Sequence, residues 1–65
     1  MNLHALYTLH NDSPEAIAKL AEANGLDPVV AEGVVILLLA NDGNLASLSP
    51  RQKEHYEVAI KPLLG

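Results

Sequence analysis

Apolar side chains recur at helical spacing along most of this chain, and its elements follow from where that spacing starts, stops and fails. Leu3, Leu6 and Tyr7 share one face of a short segment that begins after Asn2 and ends between His10 and Asp12. Ala16, Ile17, Leu20 and Ala21 share another, with Glu15, Lys19 and Glu22 opposite, which is the pattern of an amphipathic helix. Towards the end of the chain Tyr56, Ala59 and Ile60 face one way. The alternation of faces fails in the middle: residues 34–40 read Val-Val-Ile-Leu-Leu-Leu-Ala, and from Pro28 to Ala40 only Glu32 is charged. A helix carrying that run has no polar side to give to water. Its cover must come from the other helices or from a second copy of the chain.

A buried strand is the competing reading of residues 34–39. Helix is preferred because the segment runs about fourteen residues where strands usually run about four to eight, and no second strand candidate exists to pair with it. Punctuation agrees. Ser13-Pro14, Asp27-Pro28 and Ser49-Pro50 each set an N-cap acceptor before a proline, whose fixed φ suits the first helical position and whose missing N–H would be unpaired there anyway. Ser49 with Gln52 also fits a capping box. Gly25 should end its helix in the left-handed position, with Leu26 folding back on the last turn.

Asn41-Asp42-Gly43-Asn44 reads as a turn, and Leu45 and Leu48 as a short helical turn capped by Asn44. Pro62 should limit the last helix, because the residue before a proline disfavours helix, leaving Leu63 and Leu64 as a packing tail. The expected fold is all-α: one domain over residues 1–65, a small compact bundle of three to four short helices around an aliphatic central helix. The helices are placed near residues 3–10, 14–24, 28–41 and 50–61. The predicted core is Leu6, Ile17, Leu20, Leu26, Val30, Val34, Leu37, Leu38, Leu48, Tyr56 and Ile60.

Composition narrows this further. With 65 residues and no Cys, a single core is marginal and disulfides cannot support it. Twelve Leu, five Val, three Ile and nine Ala, with no Phe or Trp, make the core aliphatic, and some of the apolar surplus is available to a partner. Eight carboxylates against four Lys and Arg give a net charge of −4, which argues against a general affinity for phosphate backbones. The first basic residue is Lys19, so the start of the chain lacks the cationic opening of a secretory signal. The apolar stretch is shorter than the roughly twenty residues a membrane span needs. A cytoplasmic address and no membrane association are expected.

Candidate chemistry is sparse. His4 and His10 lie six positions apart and point to different sides of a helix, while His55 lies in another helix; without Cys or an i, i+4 His pair, no metal ligand set is expected. Asp42-Gly43-Asn44 echoes the start of a calcium loop, but its twelfth position is Lys53 where a bidentate Glu is needed. His10, Asp12 and Ser13 include the residue types of a hydrolytic triad, yet Asp12 and Ser13 are accounted for by helix capping. No catalytic residue and no cofactor are expected.

Residues 20–26, Leu-Ala-Glu-Ala-Asn-Gly-Leu, resemble the first helix and turn of the helix-turn-helix DNA-binding families. The following helix departs from that pattern, offering Val29, Val30 and Glu32 where base-reading polar and basic side chains belong, and the glycine turn is read as a helix corner. Residues 16–48 resemble the ubiquitin-associated type of three-helix module: Gly25-Leu26 after the first helix, an apolar second helix, and an Asn-rich turn over residues 41–48. Ser49-Pro50 starts a new helix where that family's third should already be running. The resemblance implies the architecture of a compact binding module.

The functional expectation is a non-enzymatic protein-interaction or regulatory module with a protein partner. The alternative is a DNA-binding or DNA-associated accessory domain acting through the basic start of the last helix, where Arg51, Gln52, Lys53 and His55 form a candidate contact patch; nucleic acid is disfavoured by the charge balance. A homodimer through the third helix is also expected, with Gly33, Ile36, Leu39 and Ala40 as the self-association face. Gly33 costs about 1 kcal/mol against Ala inside a helix. It shares a stripe with Val29, Ile36 and Ala40, and close approach of a neighbouring backbone is its expected return.

Overall fold

Three α-helices of this chain, those that follow Asn2, Asp27 and Ser49, each start where a short polar side chain takes up a free amide. In the computed structural model, which describes residues 1–64, α1 (Leu3–Asp12) follows Asn2, whose side chain accepts from the Ala5 N–H at 3.0 Å. Helix α2 (Pro14–Ala23) follows Ser13, and α3 (Pro28–Ala40) follows Asp27, whose carboxylate accepts from the Val29 N–H at 2.9 Å. A 3-10 turn (Leu45–Ser47) is capped by Asn44. Helix α4 (Pro50–His55) carries the full capping box: Gln52 N–H donates to Ser49 Oγ at 3.2 Å, and Ser49 N–H donates to Gln52 Oε1 at 2.8 Å. The described residues contain no strand, so the helical reading of residues 34–39 holds.

Ser13 departs from expectation. It stands at the N-cap position of α2 but its side chain caps nothing. The same residue ends α1, giving its N–H to the Leu9 carbonyl at 3.0 Å, and this leaves its backbone at ψ 52°. A capping residue needs extended backbone to aim its oxygen at the next turn.

The helix ends share a device. In α2 the Leu26 N–H reaches the Ala21 carbonyl at 2.8 Å, with Gly25 left-handed at φ 71°, which is the Schellman closure. In α3 the Gly43 N–H reaches the Leu38 carbonyl at 2.7 Å, but the left-handed residue is Asp42, at φ 55°. Asn24 and Asn41 add side-chain bonds to the carbonyls of Leu20 and Leu37, both at 2.8 Å. The Asp42-Gly43 turn thus has a structural task.

The last helix does not stop before Pro62. Helix α4 continues into a π-helical segment (Tyr56–Ile60) and then a final turn, α5 (Lys61–Leu64). In a regular α-helix Pro62 has no N–H to give to Val58 and its ring presses on that carbonyl. Here the pairing shifts by one residue, with the Lys61 N–H donating to the Tyr56 carbonyl, and the misfit is taken up in the wider turns. The rule that a helix ends before proline was therefore overridden.

Helix α3 is central, packing against α1, α2, α4 and the π segment. Its buried residues are Ala31, Val34, Val35 and Leu38, one helical face picked out of an apolar surround. They meet Leu6, Ile17, Ala21, Leu48, Tyr56, Ala59 and Ile60 in one core. Of the predicted core, Leu26, Val30 and Leu37 are partly buried and pack against it, while Leu20 is half-buried. Alanines fill the inner positions that close packing of short helices leaves small.

Candidate interaction surfaces

The run 34–40 would leave no polar side on α3, and the chain does not cover every direction. Opposite the buried face stand Val29, 75% exposed, and Ile36, 52% exposed, with Gly33 and Ala40 also open to solvent. Spacings of four, three and four residues set these side chains on one stripe down α3. Glu32, also exposed, lies along one edge. An added Cβ on Gly33 would meet nothing within 4 Å, so within one chain the expected close backbone approach at Gly33 is absent. Of the expected self-association face, Gly33, Ile36 and Ala40 are brought together; Leu39 is half-buried and packs on the core instead. Val29 belongs to the same stripe and could be found from spacing alone.

At the basic start of α4 only part of the expected patch reaches solvent. Arg51 and Lys53 are exposed, Gln52 is half-buried and committed to the capping box, and His55 is 2% exposed. The placement of His55 on a contact surface is corrected: its ring is a structural link. Nδ1 lies 2.8 Å from the Arg51 carbonyl, and Nε2 accepts from the Asp27 N–H at 3.3 Å. An amide N–H can only donate, so the ring hydrogen sits on Nδ1. His55 thereby ties α4 to the corner between α2 and α3. Glu57 and Lys61 form an exposed i, i+4 pair at 3.4 Å.

A shallow groove of about 470 Å³ lies between α1 and α5, lined by His4, Ala5, Thr8, Leu9, Asp12, Ser13 and Leu63. It takes in Asp12 and Ser13 but not His10. Leu63 borders this groove and is 37% exposed, while Leu64 packs on the core. Among the described residues no three His, Asp or Glu side chains converge as a metal-binding group, and no helix is long and apolar enough to cross a membrane. No protein family, curated protein or solved structure matches this chain.

Proposed function

We propose that this chain is a non-enzymatic protein-interaction module whose contact face is the exposed stripe of α3. One observation carries the reading: the central helix of the bundle, which supplies the largest share of the core, also holds two β-branched side chains and a glycine out in water. Exposed apolar residues scattered singly need no explanation, but an aligned set on a rigid element suits a partner. Charged groups are confined to its edge, as in the depleted centre of an interface.

The test is site-specific photo-crosslinking in extract from the native source. A photoreactive residue at position 29 or 36 is expected to give discrete protein adducts that the same residue at Lys19, on the exposed face of α2, does not. Equal labelling from Lys19 would overturn the proposal. Adducts to nucleic acid from position 51 alone, lost steeply with added salt, would instead support a DNA-associated role acting through Arg51 and Lys53.

A further inference from the structure

Resting on that reading of α3, we infer that the occupant of the stripe is a second copy of this chain, joined by an antiparallel pairing of α3 with its own copy. The order of side chains along the stripe, Val29, Gly33, Ile36, Ala40, is what singles out this partner. A two-fold axis passing between Gly33 and Ile36 sets Ile36 opposite Gly33 of the second copy. The same axis sets Val29 opposite Ala40. Each β-branched side chain then faces a small one, and each contact occurs twice, which is the condition a two-fold interface imposes on a single surface. A parallel pairing can obey a two-fold as well, but it fails the match of large to small. It stacks Val29 on Val29 and Ile36 on Ile36 while leaving Gly33 facing Gly33 across a gap, against the close packing that interfaces need.

Gly33 gains a role in the antiparallel pair. The space left by its absent side chain, empty within one chain, becomes the seat for Ile36 of the second copy. Size sets the strength. Helix α3 is about 20 Å long, and a single helix stripe from each copy buries less than the roughly 1,000 Å² of a stable complex, so the pair belongs to the weak, reversible class. Charge opposes it: each copy carries −4, and the two-fold keeps both Glu32 side chains on the same side of the seam. Screening therefore strengthens this association, the reverse of the salt dependence of phosphate binding.

The chain has no Cys, so a single introduced thiol reports one position. Chains bearing Val29→Cys and chains bearing Ala40→Cys are mixed in equal amounts in a glutathione redox buffer. The mixed disulfide is expected well above its statistical proportion, rising with added salt; a statistical mixture, or an excess of like-with-like disulfides, would overturn the inference. Sedimentation equilibrium gives an independent reading. The mass of the unmodified chain is expected to move from one copy towards two between about 10 µM and about 1 mM, more readily for Glu32→Gln, while Ile36→Lys stays at one copy with an unchanged helical spectrum. One copy throughout, for the unmodified chain and Glu32→Gln alike, refutes the pairing. If the thiols pair statistically while positions 29 and 36 crosslink to a different protein, the second copy is wrong and the interaction reading stands. If those positions crosslink to nothing, both fail.

Discussion

His55 aligns two parts of the chain that apolar contact alone would leave free to slide. Its ring spans from the Arg51 carbonyl on its own helix to the Asp27 N–H at the start of α3. Leucine has similar bulk but no hydrogen-bonding groups, so His55→Leu isolates those two bonds. The substitution is expected to cost about 1 to 2 kcal/mol, chiefly because the Asp27 amide loses its acceptor. Urea unfolding checks this: the midpoint should fall with the slope unchanged, and an unmoved midpoint would mean that the bonds do not contribute. The spacing of His55, four before Ala59 and next to Tyr56, was legible as core. Its residue type and charged neighbours, Lys53, Glu54 and Glu57, pulled the reading to the surface. Caps were legible wherever one residue had one task, as at Asn2, Asp27, Asn44 and Ser49. Ser13 serves two helices at once, and that conflict exists only when both are in place.

At the scale of the element, α3 carries an internal tension between its own stability and its surface. Gly33 lies in the helix interior with open space where a Cβ would stand, so Gly33→Ala is expected to stabilise a single folded chain by about 1 kcal/mol. A melt at low micromolar concentration should show the rise in midpoint. At high concentration the same substitution should weaken self-association, since the added methyl fills the seat of Ile36. Stabilisation with no loss of association would separate Gly33 from the interface. The existence and type of α1, α2 and α3 could be read from proline starts, glycine or asparagine stops and apolar spacing. The length of the last helix could not. Its continuation past Pro62 depends on Tyr56, Ala59 and Ile60 packing into a core built by distant residues, and that long-range gain outweighs a local rule. Which side of α3 faces inward was legible in part: Val34 and Leu38 belonged to the expected core, and Gly33, Ile36 and Ala40 to the expected outer face. Leu39 turned inward and Ala31 and Val35 were missed, because an all-apolar helix has almost no moment to orient it and its neighbours decide.

For the whole molecule, a radius of gyration of 10.3 Å is close to the roughly 11 Å of a compact chain of this length, so the four helical regions close on one core. Their shares in it are unequal. Helix α3 and the π segment contact each other and both α2 and α4, whereas α1 packs along the side of this group against α2, α3 and α5. Only Leu6 of α1 is fully buried, against Ala31, Val34, Val35 and Leu38 of α3. Local opening follows such differences in burial, so α1 should be the first element to detach. Leu6→Ala and Leu38→Ala each remove the same atoms from a buried site, at a cost of about 2 to 5 kcal/mol, a large part of the roughly 3 to 10 kcal/mol a domain of this size holds. The two losses should differ in where they are felt. Amide hydrogen exchange in Leu6→Ala is expected to quicken in α1 while amides of α3 keep most of their protection, because α3 retains its packing against α2 and α4. In Leu38→Ala every helix should quicken together, since α3 is the surface on which the others meet. Amides of α1 as slow to exchange as those of α3 in the unmodified chain would show that the bundle opens as a single unit and that Leu6 anchors far more than its own helix.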